Sequence, residues 1–367
     1  MAPRIGFMGA GAVGSYIGGW LTREGHDVTL MDMWPEHVEK MRAQGLRVSG
    51  TQGEFTTPVK TLHLTDVVNL EAPFDIIFIA VKSYDTEWAT HFAKRLITPT
   101  GFFVCSQNGM NDEVIARIVG YERVVPLVMS GISVGLMEPA HVTRGGNPGR
   151  DRGHDVFRAG EMGGAPSPRT QMLAGMLECI DASTTTNNIW GERWSKLATN
   201  CMGNTLAAMS KTAAGDLAKL TPKFAILRDE VAHELVSVGT ALGVRIEPIS
   251  GKSQEEWLAF QADLSAADGA PDVNAVAMSD GHGNAAYVSS WPTSTLQDII
   301  KGRRSEVDYL NGYVSKRGRE VGIETPVNDA IVRVLKQVDE KELPADPSNV
   351  DRVWELVYGR QPIAVTV

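Results

Sequence analysis

The chain has 367 residues, 43% of them apolar and 22% charged, with a formal charge of -9 and a pI near 5.5. That length holds two substantial cores and is more than one domain comfortably fills. The acidic balance, with no Lys/Arg-rich block, argues against nucleic acid and against an anionic membrane surface and leaves a small molecule as the partner. Cys105, Cys179 and Cys201 are odd in number and widely spaced, so they read as buried thiols in a reducing compartment rather than as a metal or redox site. No signal-peptide core and no stretch of membrane-spanning length is read, so a cytoplasmic protein is expected.

From the N-terminus, residues 5–8 form a short apolar run, 9–14 a glycine-rich turn, 15–23 a helix stopping near Gly25, and 28–31 a second strand ending at Asp32. This reads as a βαβ unit. The turn Gly9-Ala10-Gly11-Ala12-Val13-Gly14 fits G-x-G-x-x-G. In that motif the first Gly allows the tight turn, the second lets backbone approach a pyrophosphate, and the third permits close helix–strand packing. The helix N-terminus then faces the anion. Glycine is common in this chain, so the pattern gains its weight from its place between a strand and a helix.

Asp32 lies 18 residues past Gly14, where a carboxylate can accept hydrogen bonds from the adenosine ribose hydroxyls. A 2′-phosphate would meet like charge there, because Met33, Trp34, Pro35 and Glu36 follow and the next base is Lys40. NAD is therefore expected over NADP. The competing reading is a strand-end Asp that caps the following turn.

Further on, 35–44 reads as helix, 46–49 and 55–64 as a strand pair around Gly50 and Gly53, and 74–81 as a strand covered on both faces. A helix over 85–96 and strands over 102–106 and 124–129 complete an alternation that implies a doubly wound, mostly parallel sheet. Residues 143–168, rich in Gly, Pro and Arg, read as a long loop. After Asn187 the texture changes to helical runs at 189–209, 224–242, 296–321 and 327–338, with 269–283 loop-like and a short helix after Pro344. The expectation is an α/β domain over 1–187 and an all-α domain over 188–367.

Within 189–209, Lys196, Asn200 and Asn204 recur every four residues. Each such step turns about 40° beyond a full circle and rises about 6 Å, so the polar heads form one slightly winding stripe. A solvated helix face is the ordinary explanation. Against it, Asn is a poor interior helix residue, and Trp190, Trp194, Leu197, Cys201 and Met202 are neighbours. Amides and ammonium groups held beside apolar surface need partners, which a polar ligand could supply. Near the C-terminal side, Ser294 and Gln297 fit a capping box, although a Ser hydroxyl at a helix start is also a carboxylate site. Glu306 opens Glu306-Val307-Asp308-Tyr309-Leu310-Asn311-Gly312, where an acid is more often a surface charge.

Taken together, the glycine loop, Val81-Lys82, Gln107-Asn108-Gly109-Met110, the Lys196 stripe, and Ser294 with Glu306 resemble the ketopantoate reductase (2-dehydropantoate 2-reductase) family, in that family's order from Ile5 to about Asn328. The resemblance implies a Rossmann domain, a helical C-terminal domain with the active site between them, and NAD(P)H-dependent reduction of a 2-oxoacid. It implies that Lys196 is the general acid, that Asn200 and Asn204 hold substrate oxygens, that Ser294 binds the carboxylate, and that Glu306 orients near Lys196 and the cofactor. Lys82 and Asn108 match positions on the nicotinamide side, Asn108 serving cofactor and substrate alike. The cofactor itself would lie on Gly9, Ala10, Gly11, Ala12, Val13, Gly14 and Asp32.

Two departures stand out. NADP-using members carry a basic residue where this chain has Asp32, and a substrate-binding Asn often found ten residues past Asn204 is replaced by Ala214. The segments 145–154 and 251–291 are long, and Trp257, Phe260, Tyr287 and Trp291 could wall a pocket for a bulkier 2-oxoacid or simply pack an enlarged domain; His282 reads as a loop residue. The expected protein is thus an NAD-preferring 2-oxoacid reductase, with no metal and with a homodimer suited to its apolar helical half. The rivals are an NADPH-dependent ketopantoate reductase of pantothenate synthesis and a non-catalytic NAD-sensing regulator, which intact Lys196, Ser294 and Glu306 speak against.

Overall fold

Strand β1 (Arg4–Met8) sends Ile5 and Phe7 into one apolar core and Met8 into another, the alternation of a strand covered on both faces. The computed structural model describes residues 2–70, 72–269 and 291–359. The chain divides into two units, Met1–Arg193 and Trp194–Val367.

In the first unit β1 leads through α1 (Ala12–Arg23) to β2 (Asp27–Asp32), α2 (Pro35–Gln44), β3 (Leu46–Gly50), β4 (Phe55–Thr57) and β5 (Lys60–His63). Then come β6 (Phe74–Ile79), α3 (Thr86–Ala93), β7 (Ile97–Cys105), α4 (Asp112–Val119), β8 (Val124–Met129), β9 (Ser133–Glu138), β10 (His141–Gly145), β11 (Phe157–Gly160), α5 (Pro168–Leu177) and β12 (Ser183–Thr186). The main sheet runs β12-β11-β8-β7-β6-β1-β2-β5 and is parallel except where β11 meets β8. From β5 to β8 this is the order of a dinucleotide-binding sheet, with its direction of winding reversed between β1 and β6. A second sheet, β4-β3-β10-β9, packs on α1 and shares its apolar core with one face of the main sheet.

The expected pairing of 46–49 with 55–64 is half right. The segment breaks at Pro58, so β4 pairs with β3 while β5 joins the main sheet beside β2. The 143–168 loop is corrected more deeply: it contains the end of β10 and the whole of β11, and every residue of β11 is buried. Arginines disguised it. Arg144 is buried because its guanidinium pairs with the fully buried Asp181 and donates to Gln52 Oε1 at 2.6 Å. Burial pushes the Asp181 carboxyl up, but amides of Gly149, Arg150 and Ala182 together with Arg144 outweigh it and hold the group below its ordinary range.

The division between units falls inside α6 (Ile189–Thr199). The second unit continues with α7 (Thr205–Ser210), α8 (Ala214–Leu220), α9 (Lys223–Ala241), α10 (Gln254–Leu258), α11 (Ser294–Ile300), α12 (Asn311–Val321), α13 (Pro326–Asp339) and α14 (Asn349–Tyr358). α9 packs against α10, α12, α13 and α14. Its buried Glu234 accepts the Val327 and Asn328 amides at 2.8 and 3.0 Å, capping α13. The single helix expected over 296–321 is instead two. α11 ends at Ile300, just before Gly302 with its left-handed φ of 65°, and after a 3-10 turn over Val307–Tyr309 the chain re-enters α-helix at Asn311. Most of the 269–283 loop lies outside the described residues. Among the described residues no helix is long and apolar enough to cross a membrane, and no cluster of His, Cys, Asp or Glu could hold a metal ion.

Candidate active site

The glycine loop after β1 is shaped by contacts that only glycine allows. Gly9 has φ 100°, and a Cβ on Gly14 would stand 2.0 Å from the Gly9 carbonyl oxygen. Gly11 differs, with no atom within 4 Å of a Cβ built there, so bare backbone faces open space. Gly11 is also the N-cap of α1, without a side-chain cap or an acid in the first turn. An uncapped helix start beside an open glycine suits a pyrophosphate.

Asp32, half-buried at the end of β2, uses both oxygens on backbone: Oδ2 accepts from Ala10 N at 2.7 Å and Oδ1 from Trp34 N at 2.9 Å. It caps the turn and also ties the glycine loop, and each oxygen keeps a lone pair for further donors. Behind the loop, buried His37 lies 2.9 Å from the Ala10 carbonyl and accepts the Ala140 amide at 2.8 Å. Burial holds this imidazole below its ordinary pKa, against the pull of Asp32 and the Ala10 carbonyl.

Lys82 and Asn108 lie in the loops that follow β6 and β7. A Cβ on Gly9 would touch Val81 at 3.0 Å, which brings the loop ahead of Lys82 against the glycine turn. The loop holding Asn108 is fixed from beneath. Gln107 Nε2 donates to the Val81 carbonyl and to Thr86 Oγ1, both at 2.8 Å. Asn111 Nδ2 donates to the Asn108 carbonyl at 2.7 Å and to Ser83 Oγ at 3.0 Å. Arg193, 3% exposed, donates to the carbonyls of Cys105 and Gln107 and to Asp112 Oδ1 at 2.8, 2.9 and 2.6 Å. Sequence reasoning missed Gln107, Asn111, Asp112, Arg193 and His37 as parts of the site. The dense polar run from Gln107 to Asp112 was the available signal, since buried polar groups need each other.

The stripe in the second unit is not a solvated face. Lys196 and Asn204 are half-buried and Asn200 is 3% exposed. Residues Asn200–Asn204 form a π-helical turn between α6 and α7, so the unbroken helix expected over 189–209 is corrected. Such widened turns are frequent at functional sites. Asn204 Nδ2 donates to Asn200 Oδ1 at 3.2 Å, while Asn200 Nδ2 is buried without a hydrogen-bond partner. A buried amide left this way costs about 1–3 kcal/mol unless something else receives its hydrogens.

Ser294 is the first residue of α11, which packs against the Asn200–Asn204 turn. The expected Ser294–Gln297 capping box does not form. Thr293 caps the helix instead, its hydroxyl accepting from Leu296 N at 3.4 Å, and Gln297 Nε2 turns back to the Pro292 carbonyl at 3.1 Å. That frees the Ser294 hydroxyl from the cap. Glu306, 5% exposed rather than a surface charge, opens a separate turn, Val307–Tyr309, that packs on α12 and α13. Preceding it, Ser305 Oγ donates to Asp339 at 2.6 Å. Ala214 begins α8. Trp257 is a packing residue, buried with its indole N–H on the Ile249 carbonyl at 3.1 Å, and Phe260 lies beside it. Tyr287 and His282 lie outside the described residues.

Known proteins share the sequence and fold of this chain. The model for ketopantoate reductase PanE/ApbA matches residues 5–152, and that for its C-terminal part matches 188–339. The 2-dehydropantoate 2-reductase of Archaeoglobus fulgidus is 29% identical over 345 residues, covering 92% of this chain and 98% of its own. The Aquifex aeolicus enzyme of the same name is 27% identical, covering 92% and 97%. Among solved structures, a PanE/ApbA family ketopantoate reductase from Ralstonia eutropha superposes with a TM-score of 0.71 at 25% identity, covering 92% and 99%. D-mandelate dehydrogenase in complex with NADH and anilino(oxo)acetate shares the fold with a TM-score of 0.75 at 21% identity, with the same coverage. The glycine-loop sheet, the helical second unit and both family matches make this chain a member of the ketopantoate reductase family, an NAD(P)-dependent oxidoreductase acting on CH–OH groups.

Proposed function

We propose that the protein is an NAD-preferring reductase of 2-oxoacids in which Lys196 donates the proton. The observation that carries this reading is the buried Asn200 Nδ2, left without a hydrogen-bond acceptor four residues beyond Lys196, at a π turn. A reduced nicotinamide, when bound, would supply the hydride that the substrate C2 receives. As that carbon takes the electron pair, its oxygen gains charge. An ammonium at Lys196 stabilises the charge and delivers the proton that completes the hydroxyl. Asn200 and Asn204 hold the substrate's oxygens, with Asn200 Nδ2 the open donor. Ser294 receives the carboxylate, and Glu306 orients the reacting end. In the reverse direction neutral Lys196 is the base.

The residues of the first unit fit a dinucleotide. The open side of Gly11 and the uncapped start of α1 meet the pyrophosphate, with Ala10, Ala12 and Val13 flanking it. Asp32 meets the ribose, with Lys82 and Asn108 at the nicotinamide end. The lone pairs left on Asp32 suit ribose hydroxyls, whereas its charge opposes a 2′-phosphate. We take the protein to act as a homodimer, which its mass in solution checks.

The test is a pair of titrations with NADH and NADPH, followed by a panel setting 2-dehydropantoate beside larger and aromatic 2-oxoacids. Higher kcat/KM with NADH is expected; clear NADPH preference overturns the reading of Asp32. A second reading, NADPH-dependent reduction of 2-dehydropantoate, is favoured by the names of the curated relatives. Turnover of that substrate alone, with NADPH, would select it.

A further inference from the structure

The loops after β6 and β7 leave the sheet on the β6 side of its switch point, where open parallel sheets take their ligands. They are not independent. Asn111 reaches both, donating to the Asn108 carbonyl at 2.7 Å and to Ser83 Oγ at 3.0 Å, while its Oδ1 lies 3.3 Å from Thr86 Oγ1. Gln107 makes the reciprocal link, from the β7 loop to the Val81 carbonyl and Thr86. Both amides are almost fully buried, at 2% and 6% exposure. Each NH2 group has two hydrogens and two protein acceptors, so both amides are committed within the protein. An amide is the side chain that can do this from one position, because it donates two hydrogens in one plane and accepts on the other side.

We propose that Asn111, with Gln107, is a positioning residue that locks the Val81–Ser83 and Gln107–Asn108 segments into one platform under the reacting end of the cofactor. The inference rests on the reductase reading for its kinetic consequence and on the hydrogen bonds alone for its structural one. With the platform intact, Lys82 and Asn108 keep one mutual spacing. With it cut, each loop samples its own positions, and small misplacement at a reacting centre is costly. The adenosine end, held by the Gly9–Gly14 loop and Asp32, stays as it was.

The experiment compares wild type with Asn111→Ala and with Ser83→Ala, which removes one arm and leaves the buried amide in place. Three quantities are measured: NADH affinity by fluorescence, kcat and KM with the best 2-oxoacid, and hydrogen exchange of the 106–111 amides. Asn111→Ala is expected to bind NADH within about threefold of wild type, to lose roughly ten- to a hundredfold in kcat, and to exchange faster at 106–111. Ser83→Ala is expected to move the same way by less. Unchanged kcat and unchanged exchange in a folded Asn111→Ala, or in Ser83→Ala where the first does not fold, overturns the proposal. If wild type itself neither binds NADH nor turns over, the reductase reading fails, and the exchange measurement still decides whether Asn111 holds the two loops.

Discussion

His37 Nε2 donates to the Ala10 carbonyl over 2.9 Å, so a buried imidazole from α2 braces the glycine-rich loop from behind. A carbonyl can only accept, and Nδ1 accepts the Ala140 amide, which fixes the neutral ring with its proton on Nε2. Burial lowers the folded pKa below the ordinary value of about 6.5. The unfolded chain therefore takes up a proton first as pH falls. Stability from this group is complete above about pH 6.5 and is lost as pH drops through the folded value. His37→Asn should be less stable than wild type at pH 7.5, and denaturant titrations should show the gap closing toward pH 5. A gap that widens on acidification would refute the assignment.

Glu234 has the opposite slope. Burial, helped by Glu230 and resisted by the Val327 and Asn328 donors, raises its carboxyl to about 7. The folded state then keeps a proton that the unfolded chain releases near pH 4.3. Its contribution is full below that pH and disappears as pH rises through about 7. Glu234→Gln, uncharged throughout, should gain stability relative to wild type between pH 5 and 8. Parallel curves for the two proteins would show that Glu234 does not titrate in that window.

The three glycines of the loop should respond differently. A Cβ on Gly14 would lie 2.0 Å from the Gly9 carbonyl oxygen, an overlap that neither backbone can relieve. Gly14→Ala should cost about 3 kcal/mol or more and lose cofactor binding. A Cβ on Gly11 meets nothing within 4 Å. Gly11→Ala should stay within about 1 kcal/mol of wild type yet bind the dinucleotide about tenfold more weakly or worse, because the methyl enters the pyrophosphate's path. Thermal melts and cofactor titrations on the pair check this, and undiminished affinity in Gly11→Ala would move the pyrophosphate elsewhere.

Lys196→Ala should remove a proton donor without touching the dinucleotide loop. The expected loss in kcat is about 10²- to 10⁴-fold, with NADH affinity retained. Turnover at the wild-type rate would sink the proposed mechanism, whereas NADH binding without any turnover in the wild type would favour a non-catalytic sensor.

The first unit was largely legible because its signals are local. The 5–8 run, the glycine spacing and the apolar 74–81 stretch each declare a strand or turn within a few residues. β10 and β11 were hidden because Arg144 and Arg158 are buried in them, and the partner that makes Arg144 tolerable, Asp181, lies 37 residues away. In the second unit, Lys196, Asn200 and Asn204 were visible as a repeat, but the π turn was not, since no residue type marks it. Nor could Gln107 and Asn111 be read as cross-links, because their partners on the β6 loop are defined only by strand order.

The Asn200–Asn204 turn carries one residue more than a continuous α-helix would need to join α6 to α7. Excising a single residue there, Gly203 for example, would let the two helices fuse into a regular rod. Because the widened turn already absorbs that residue, α7 would keep nearly its present facing, and the side chains re-aimed would be those of the turn itself, Asn200 to Asn204. The fused rod would satisfy the helix ladder better than the natural chain does while re-aiming the Asn200 and Asn204 amides. What a regular helix ladder asks of this segment and what the chain carries thus differ by one surplus amino acid, placed at the two amides proposed to hold the substrate.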